Sequence, residues 1–301
     1  MGAQAAALLD AGGPVGRVPP PAPVAGRLVL DPPVPYDLAA VARGHGGVGL
    51  APSAWDGTRL HRVLRRPDGP LPVVVHPDLG VTWSRPVRPE QQVRAQLTDV
   101  LALEDDLSGL WDACDRVPSL GWVRPAGAGR VLRAPTAFED LAGTLAATNT
   151  SYRACQRMVA GLVGDGPFPT PDEVAARGEP ALRAAGWGYR APALLALARS
   201  AADGAPDVER WRDPAVPDDE VLAAVRALPG FGPFAAATAL PLMGHRPRPA
   251  VLDGWLRRQV PDPGVWAPMG RWAGTGVWLA VTARRWDGAG TGGRAPGSPS
   301  R

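Results

Sequence analysis

The chain has 301 residues, 32 of them basic against 29 acidic, for a formal net charge of +3. It can bury a sizeable core as one lobed domain or two modest ones, and its charge is too small to argue for a nucleic-acid partner unaided. Two distant cysteines, Cys114 and Cys155, without a CxxC exclude a four-cysteine iron–sulfur cluster or a cysteine zinc site, and the absence of any lysine excludes Schiff-base chemistry by a side-chain amine.

Both cysteines read as buried thiols in a reducing compartment. The start of the chain lacks the basic n-region of a signal peptide, and the apolar stretch 265–283 carries Arg271 and several glycines, which predicts a buried helix instead of a membrane span. A soluble cytoplasmic protein, nucleoid-associated and monomeric, is the expectation.

Residues 1–26 are rich in Ala, Gly and Pro without periodicity and read as a disordered tail. Short β-type runs follow at 28–30, 72–76 and 81–83, with turn signals at Pro67-Asp68-Gly69 and Asp78-Leu79-Gly80 and a short helix over 36–43. Together these make a small α+β lobe over 27–86.

A helical region over 87–286 follows, and 287–301 reads as a second tail. Apolar residues at helical spacing predict a helix over 90–110, with Glu104-Asp105-Asp106 as a solvated face or helix-end cluster. Thr136 is placed to cap a helix, with Glu139 at the capping-box position. That helix stops at Thr148-Asn149-Thr150-Ser151, where Ser151 caps the next, over 152–162. Short helices are expected over 171–177 and 180–185, then Gly186-Trp187-Gly188-Tyr189-Arg190-Ala191 leads into a helix reaching Arg199.

The stretch around which the chain is organised is Leu228-Pro229-Gly230-Phe231-Gly232-Pro233-Phe234. A helix over 219–227 must end at Pro229-Gly230, and an Ala-rich helix resumes at Phe234. Such a hairpin turns several backbone N–H groups outward beside the positive end of a helix, a site for a phosphate oxygen. Between Arg226 and Arg258 there are five arginines and one acid, Asp253, which stands just before a helix beginning at Gly254-Trp255. Arg246, Arg248, Arg257 and Arg258 are candidate phosphate contacts.

Hairpin and spaced aspartate together resemble the helix-hairpin-helix DNA glycosylase superfamily. The resemblance spans roughly 27–286 and implies a mainly α fold with a small N-terminal α+β lobe, acting on double-stranded DNA that contains a damaged base. It makes Asp253 the catalytic carboxylate and Leu228, Gly230, Phe231 and Gly232 the DNA grip. It makes Asn149 the gap-filling amide with Thr150 at the wedge position, Tyr189, Arg190 and Arg257 further DNA contacts, and Phe234 and Trp255 the base pocket. The Pro52–Gly57 segment is similar to an aromatic-Trp-Asp segment of the superfamily's N-terminal lobe, although Trp55 serves equally as sheet packing. Bifunctional relatives carry a nucleophilic lysine where Phe234 stands, so the resemblance implies a monofunctional enzyme without lyase activity. A single carboxylate and no evident general acid suit bases already activated by positive charge, alkylated purines above all, held by aromatic rings. No cofactor or metal is implied beyond a monovalent cation that the hairpin could hold. The alternative is a non-catalytic helix-hairpin-helix protein that binds distorted duplex.

Overall fold

The computed structural model describes residues 14–20, 22–45, 47–244, 246–252, 254–260 and 262–283, excluding the side chains of Trp255 and Pro263. The N-terminal part is a five-stranded antiparallel sheet, ordered β1-β5-β4-β3-β2, from β1 Gly26–Val29, β2 Ser53–Trp55, β3 Leu60–Leu64, β4 Leu71–Val75 and β5 Gly80–Trp83. β1, β4 and β5 are the runs expected from the sequence. β2 and β3 are not, because their polar residues turn inward: Arg62 of β3 is buried with its guanidinium on Ser53 Oγ at 2.7 Å and on both Glu139 oxygens at 2.6 and 2.8 Å. His61 Nε2 lies 2.8 Å from Asp56 Oδ2. Inward charges erase the alternation by which a half-buried strand is recognised. Trp55 is fully buried in the sheet's core. Part of the segment read as a tail is built into this sheet, since Val15 exchanges both backbone hydrogen bonds with Trp55, each 2.7 Å.

Helix α1, Leu38–Gly44, is capped by Asp37, whose Oδ1 accepts Ala40 N–H at 2.9 Å. The expected helix over 90–110 is two, α2 Glu90–Val100 and α3 Ser108–Cys114, parted where Ala102 takes φ 53°. The acidic cluster in this break is not a solvated face throughout. Asp105 is half-buried, 3.1 Å from Arg133 Nη2, and its desolvation raises its carboxyl above the ordinary range.

The helical block continues with α4 Ala137–Ala146, α5 Tyr152–Val163, α6 Pro171–Leu182, α7 Ala191–Ala202, α8 Asp218–Ala227, α9 Pro233–Ala239, α10 Gly254–Gln259 and α11 Ala273–Thr282. Thr136 and Ser151 cap α4 and α5 as expected. Glu139 does not complete a box, because Arg62 holds its carboxylate. Glu209, from a distant turn, instead accepts the N–H groups of Ala137 and Phe138 at 2.9 and 3.2 Å. α6 is broken at Gly178, φ 71°, between the two short helices read from the sequence.

Three apolar clusters form the core: one under the sheet and α2, one among α4 to α9, and one where α3 meets the C-terminal segment. Both cysteines are buried, and burial pushes each thiol up to about 12. The tail expected over 287–301 lies outside the described residues. Among the described residues, no helix is long and apolar enough to cross a membrane.

Candidate functional site

The hairpin joins α8 to α9. Leu228 and Phe231 are buried, so their side chains anchor the turn in the core and leave the backbone to face out. Gly230 has φ 84°, a conformation that an L side chain rarely adopts. A Cβ added there would stand 2.7 Å from Leu145 Cδ1 and 3.2 Å from Ala193 Cβ, whereas one added at Gly232 would meet open space. The hairpin apex is thus seated between the end of α4 and the start of α7. That seat gathers three segments far apart in sequence, because the Asn149 turn follows α4 and Tyr189-Arg190 precedes α7.

In the turn, Asn149 is exposed at φ 42°, and Thr150 is half-buried. Tyr189 is 65% exposed, while Arg190 beside it is only 7% exposed. The Arg190 guanidinium is engaged within the protein. Its Nε donates to Thr148 Oγ1 at 3.3 Å, and its Nη2 donates to the Thr148 carbonyl and, at 3.2 Å, to that of Asn149. The same guanidinium lies 4.3 Å from the Tyr189 ring centre. One cation therefore ties the Asn149 turn to the exposed Tyr189 ring.

The arginines of the 246–258 segment divide. Arg257 and Arg258 are exposed, and Arg257 Nε donates to the Leu252 carbonyl at 3.2 Å. Arg246 is 5% exposed, and its guanidinium serves the carbonyls of Trp211, Asp213, Val216 and Met243 together with Asp218, so it organises the loops before α8 instead of meeting a phosphate. Arg248 is 2% exposed and lies between two rings, 5.3 Å from Phe234 and 5.0 Å from Trp278. These two buried positions overturn the expectation of surface contacts, since prolines on either side give no helical or strand period from which burial is legible.

Beside this layer, between the 47–51 loop, α4 and α9, is a cavity of about 70 Å³ lined in part by Leu50, Ala51, Glu139, Asp140, Thr144 and Thr238. Thr238 stands one helical turn beyond Phe234, on the hairpin's second helix. Burial pushes the Asp140 carboxyl up to about 7, against the pull of Arg212, whose Nη2 is 2.5 Å away; burial likewise raises Glu139. Nothing in the local sequence marks out this acidic wall. Asp253, the expected catalytic carboxylate, and the side chain of Trp255 lie outside the described residues. Among the described residues, no group of three or more His, Cys, Asp or Glu side chains is placed to hold a metal ion.

No family model matches the chain, and no curated protein does. Solved structures match over most of its length. With 3-methyladenine DNA glycosylase from Archaeoglobus fulgidus the TM-score is 0.64 at 17% identity, covering 85% of this chain and 98% of that one. The apo form of Clostridium acetobutylicum 8-oxoguanine glycosylase/lyase gives 0.59 at 16% identity, covering 75% and 85%. The same enzyme in complex with double-stranded DNA bearing cytosine opposite 8-oxoG gives 0.57 at 18%, covering 75% and 84%. The fold is that of the helix-hairpin-helix DNA glycosylases, mainly helical with a small antiparallel sheet near the N-terminus.

Proposed function

We propose that this chain is a monofunctional DNA glycosylase of base excision repair, which grips damaged duplex and hydrolyses the bond between an everted base and its sugar. The observation that carries this reading is the seat of Gly230 between Leu145 and Ala193, which sets the hairpin amides, the Asn149 turn and the exposed Tyr189 ring at one edge of the molecule. Amides that hold a phosphate without reading sequence, an amide side chain to fill a gap and an aromatic ring to stack on an unstacked neighbour are what eversion of one nucleotide requires. The adjoining cavity offers the base a recess.

In this reading Asp253, before α10, stabilises the positive charge that develops on the sugar and orients a water. The C1′–N bond breaks with its electron pair passing to the base, the water's oxygen joins C1′, and the proton that the water sheds passes to Asp253, or to the base where it departs as an anion. Phe234 in place of a lysine, in a chain without lysine, makes water and not an amine the acceptor of the sugar. No cofactor takes part. The substrate drawn from the sequence is an alkylated purine; the placement of Arg248 bears directly on that choice.

The test is release of free base from duplex oligonucleotides bearing single modified bases. Wild type releases base and leaves the backbone uncut until alkali is added, and Asp253→Asn lowers release at least a hundredfold while retaining duplex binding. Binding without release by either protein would establish instead a non-catalytic protein that recognises distorted duplex.

A further inference from the structure

Phe234, on the hairpin's second helix, and Trp278, on α11, are aromatic rings of the kind that could attract a positively charged base. In the folded chain that task is already taken. The Arg248 guanidinium lies within cation–π distance of both ring centres, 5.3 and 5.0 Å, and is almost wholly buried there. It is held on more than one side. Its Nη2 donates to Thr238 Oγ1 at 3.1 Å, tying it to the residue that also lines the cavity. Its backbone N–H donates to Thr275 Oγ1 at 3.2 Å. A Cβ added at Gly274 would stand 2.1 Å from the Pro249 carbonyl oxygen, so the 248–249 backbone lies tight against α11. Trp278 is fixed as well: its Nε1 donates to the Gly44 carbonyl at 3.0 Å, and its ring packs on His45, with centres 5.8 Å apart.

We infer that Arg248 closes the aromatic slot beside the cavity to positively charged bases, so that the base this chain excises is one that is uncharged at neutral pH. The inference rests on the glycosylase reading and replaces the alkylated purine as its substrate class. A planar cation such as an N-alkylated purine needs a ring face to offset its desolvation, and the Arg248 guanidinium already faces both Phe234 and Trp278. Displacing that cation would leave it buried without its rings. An uncharged base makes no such demand and enters the cavity beside the slot.

Two measurements separate this inference from the reading beneath it. The first compares base release from duplexes carrying hypoxanthine, which is uncharged, and 7-methylguanine, which is cationic, for wild type, Arg248→Gln and Arg248→Lys. The ratio of neutral to cationic release falls about tenfold or more in Arg248→Gln. Arg248→Lys, which keeps the charge, stays near wild type. A ratio unchanged in a folded Arg248→Gln, or wild type that favours 7-methylguanine, overturns the inference while leaving the glycosylase intact. The second needs no catalysis: equilibrium dialysis of 1-methylnicotinamide, a permanently charged planar ring, against wild type and Arg248→Ala, with uncharged nicotinamide as control. Arg248→Ala retains the charged probe at least tenfold better than wild type, with no such gain for nicotinamide. Equal retention by both proteins sinks the inference. A gain in dialysis without base release from any duplex shows that the slot is as described and that the glycosylase reading is wrong.

Discussion

Arg190 carries a consequence for the residues on either side of it. Its guanidinium supplies donors to the carbonyls of Thr148 and Asn149 from a buried position, and removing it leaves those acceptors without their charged partner. Hydrogen bonds to charged groups contribute about 1.5–3 kcal/mol each, so Arg190→Met lowers unfolding free energy by about 2–3 kcal/mol, and Arg190→Lys, which lacks the planar fork, recovers little. Tyr189→Ala contrasts with this: an exposed ring changes stability by less than about 0.5 kcal/mol. If the ring stacks on an unstacked base, its removal weakens binding to lesion-bearing duplex by about 1–3 kcal/mol. Urea denaturation and fluorescence anisotropy of the variants check both statements, and equal effects of the two substitutions on stability would refute the division of labour. Caps are legible at this scale, since Thr136 and Ser151 act on residues three positions away. The fate of an arginine is not, because its long stem lets Arg190, Arg246 and Arg248 each find acceptors or rings that no local pattern announces.

The hairpin is the element most plainly written in the sequence, and its two glycines do different work. Gly230 combines positive φ with close approach to Leu145 and Ala193. Gly230→Ala therefore costs about 1–3 kcal/mol, from backbone strain and repacking. A Cβ at Gly232 meets nothing, so Gly232→Ala changes stability by less than about 1 kcal/mol while placing a methyl on the face proposed to meet phosphate. Thermal denaturation paired with duplex titration at several salt concentrations tests this: the first variant loses stability, and the second loses affinity. A Gly232→Ala protein with wild-type affinity would remove the hairpin from the DNA-binding face. Other elements were legible for the same reason as the hairpin, a residue with restricted or unusual freedom at the break, as at Gly178 in α6. The break between α2 and α3 was not, because the apolar spacing runs on through Ala102 and only the pairing of Asp105 with Arg133 shows why the chain leaves the helix.

Across the whole molecule, ions tie together segments that no window of sequence brings together: Arg62 of the sheet lobe with Glu139 of α4, and, within the helical block, Arg212 with Asp140 and Asp99. Glu139 and Asp140 stand in the wall of the cavity, and their burial has a consequence for stability as a function of pH. Asp140 titrates near 7 in the folded chain against an ordinary 3.8, burial outweighing the attraction of Arg212. Between those values the folded state binds more protons than the unfolded state, so the free energy of unfolding falls as pH rises from about 4 to 7 and levels off above. Glu139 and Asp105, also raised by burial, act in the same direction. Asp68, held at about 2 by its hydrogen bond to Arg85, acts oppositely and only below about pH 4. Asp140→Asn keeps an acceptor for Arg212 and for the Ala134 N–H but cannot ionise, so its stability declines less steeply across this window. Urea denaturation of both proteins at half-unit intervals from pH 4.5 to 7.5 measures the difference. Parallel curves would mean that Asp140 is already ionised at the low end, with the ion pair to Arg212 dominating burial, and the cavity wall would then carry a fixed negative charge toward any base that enters.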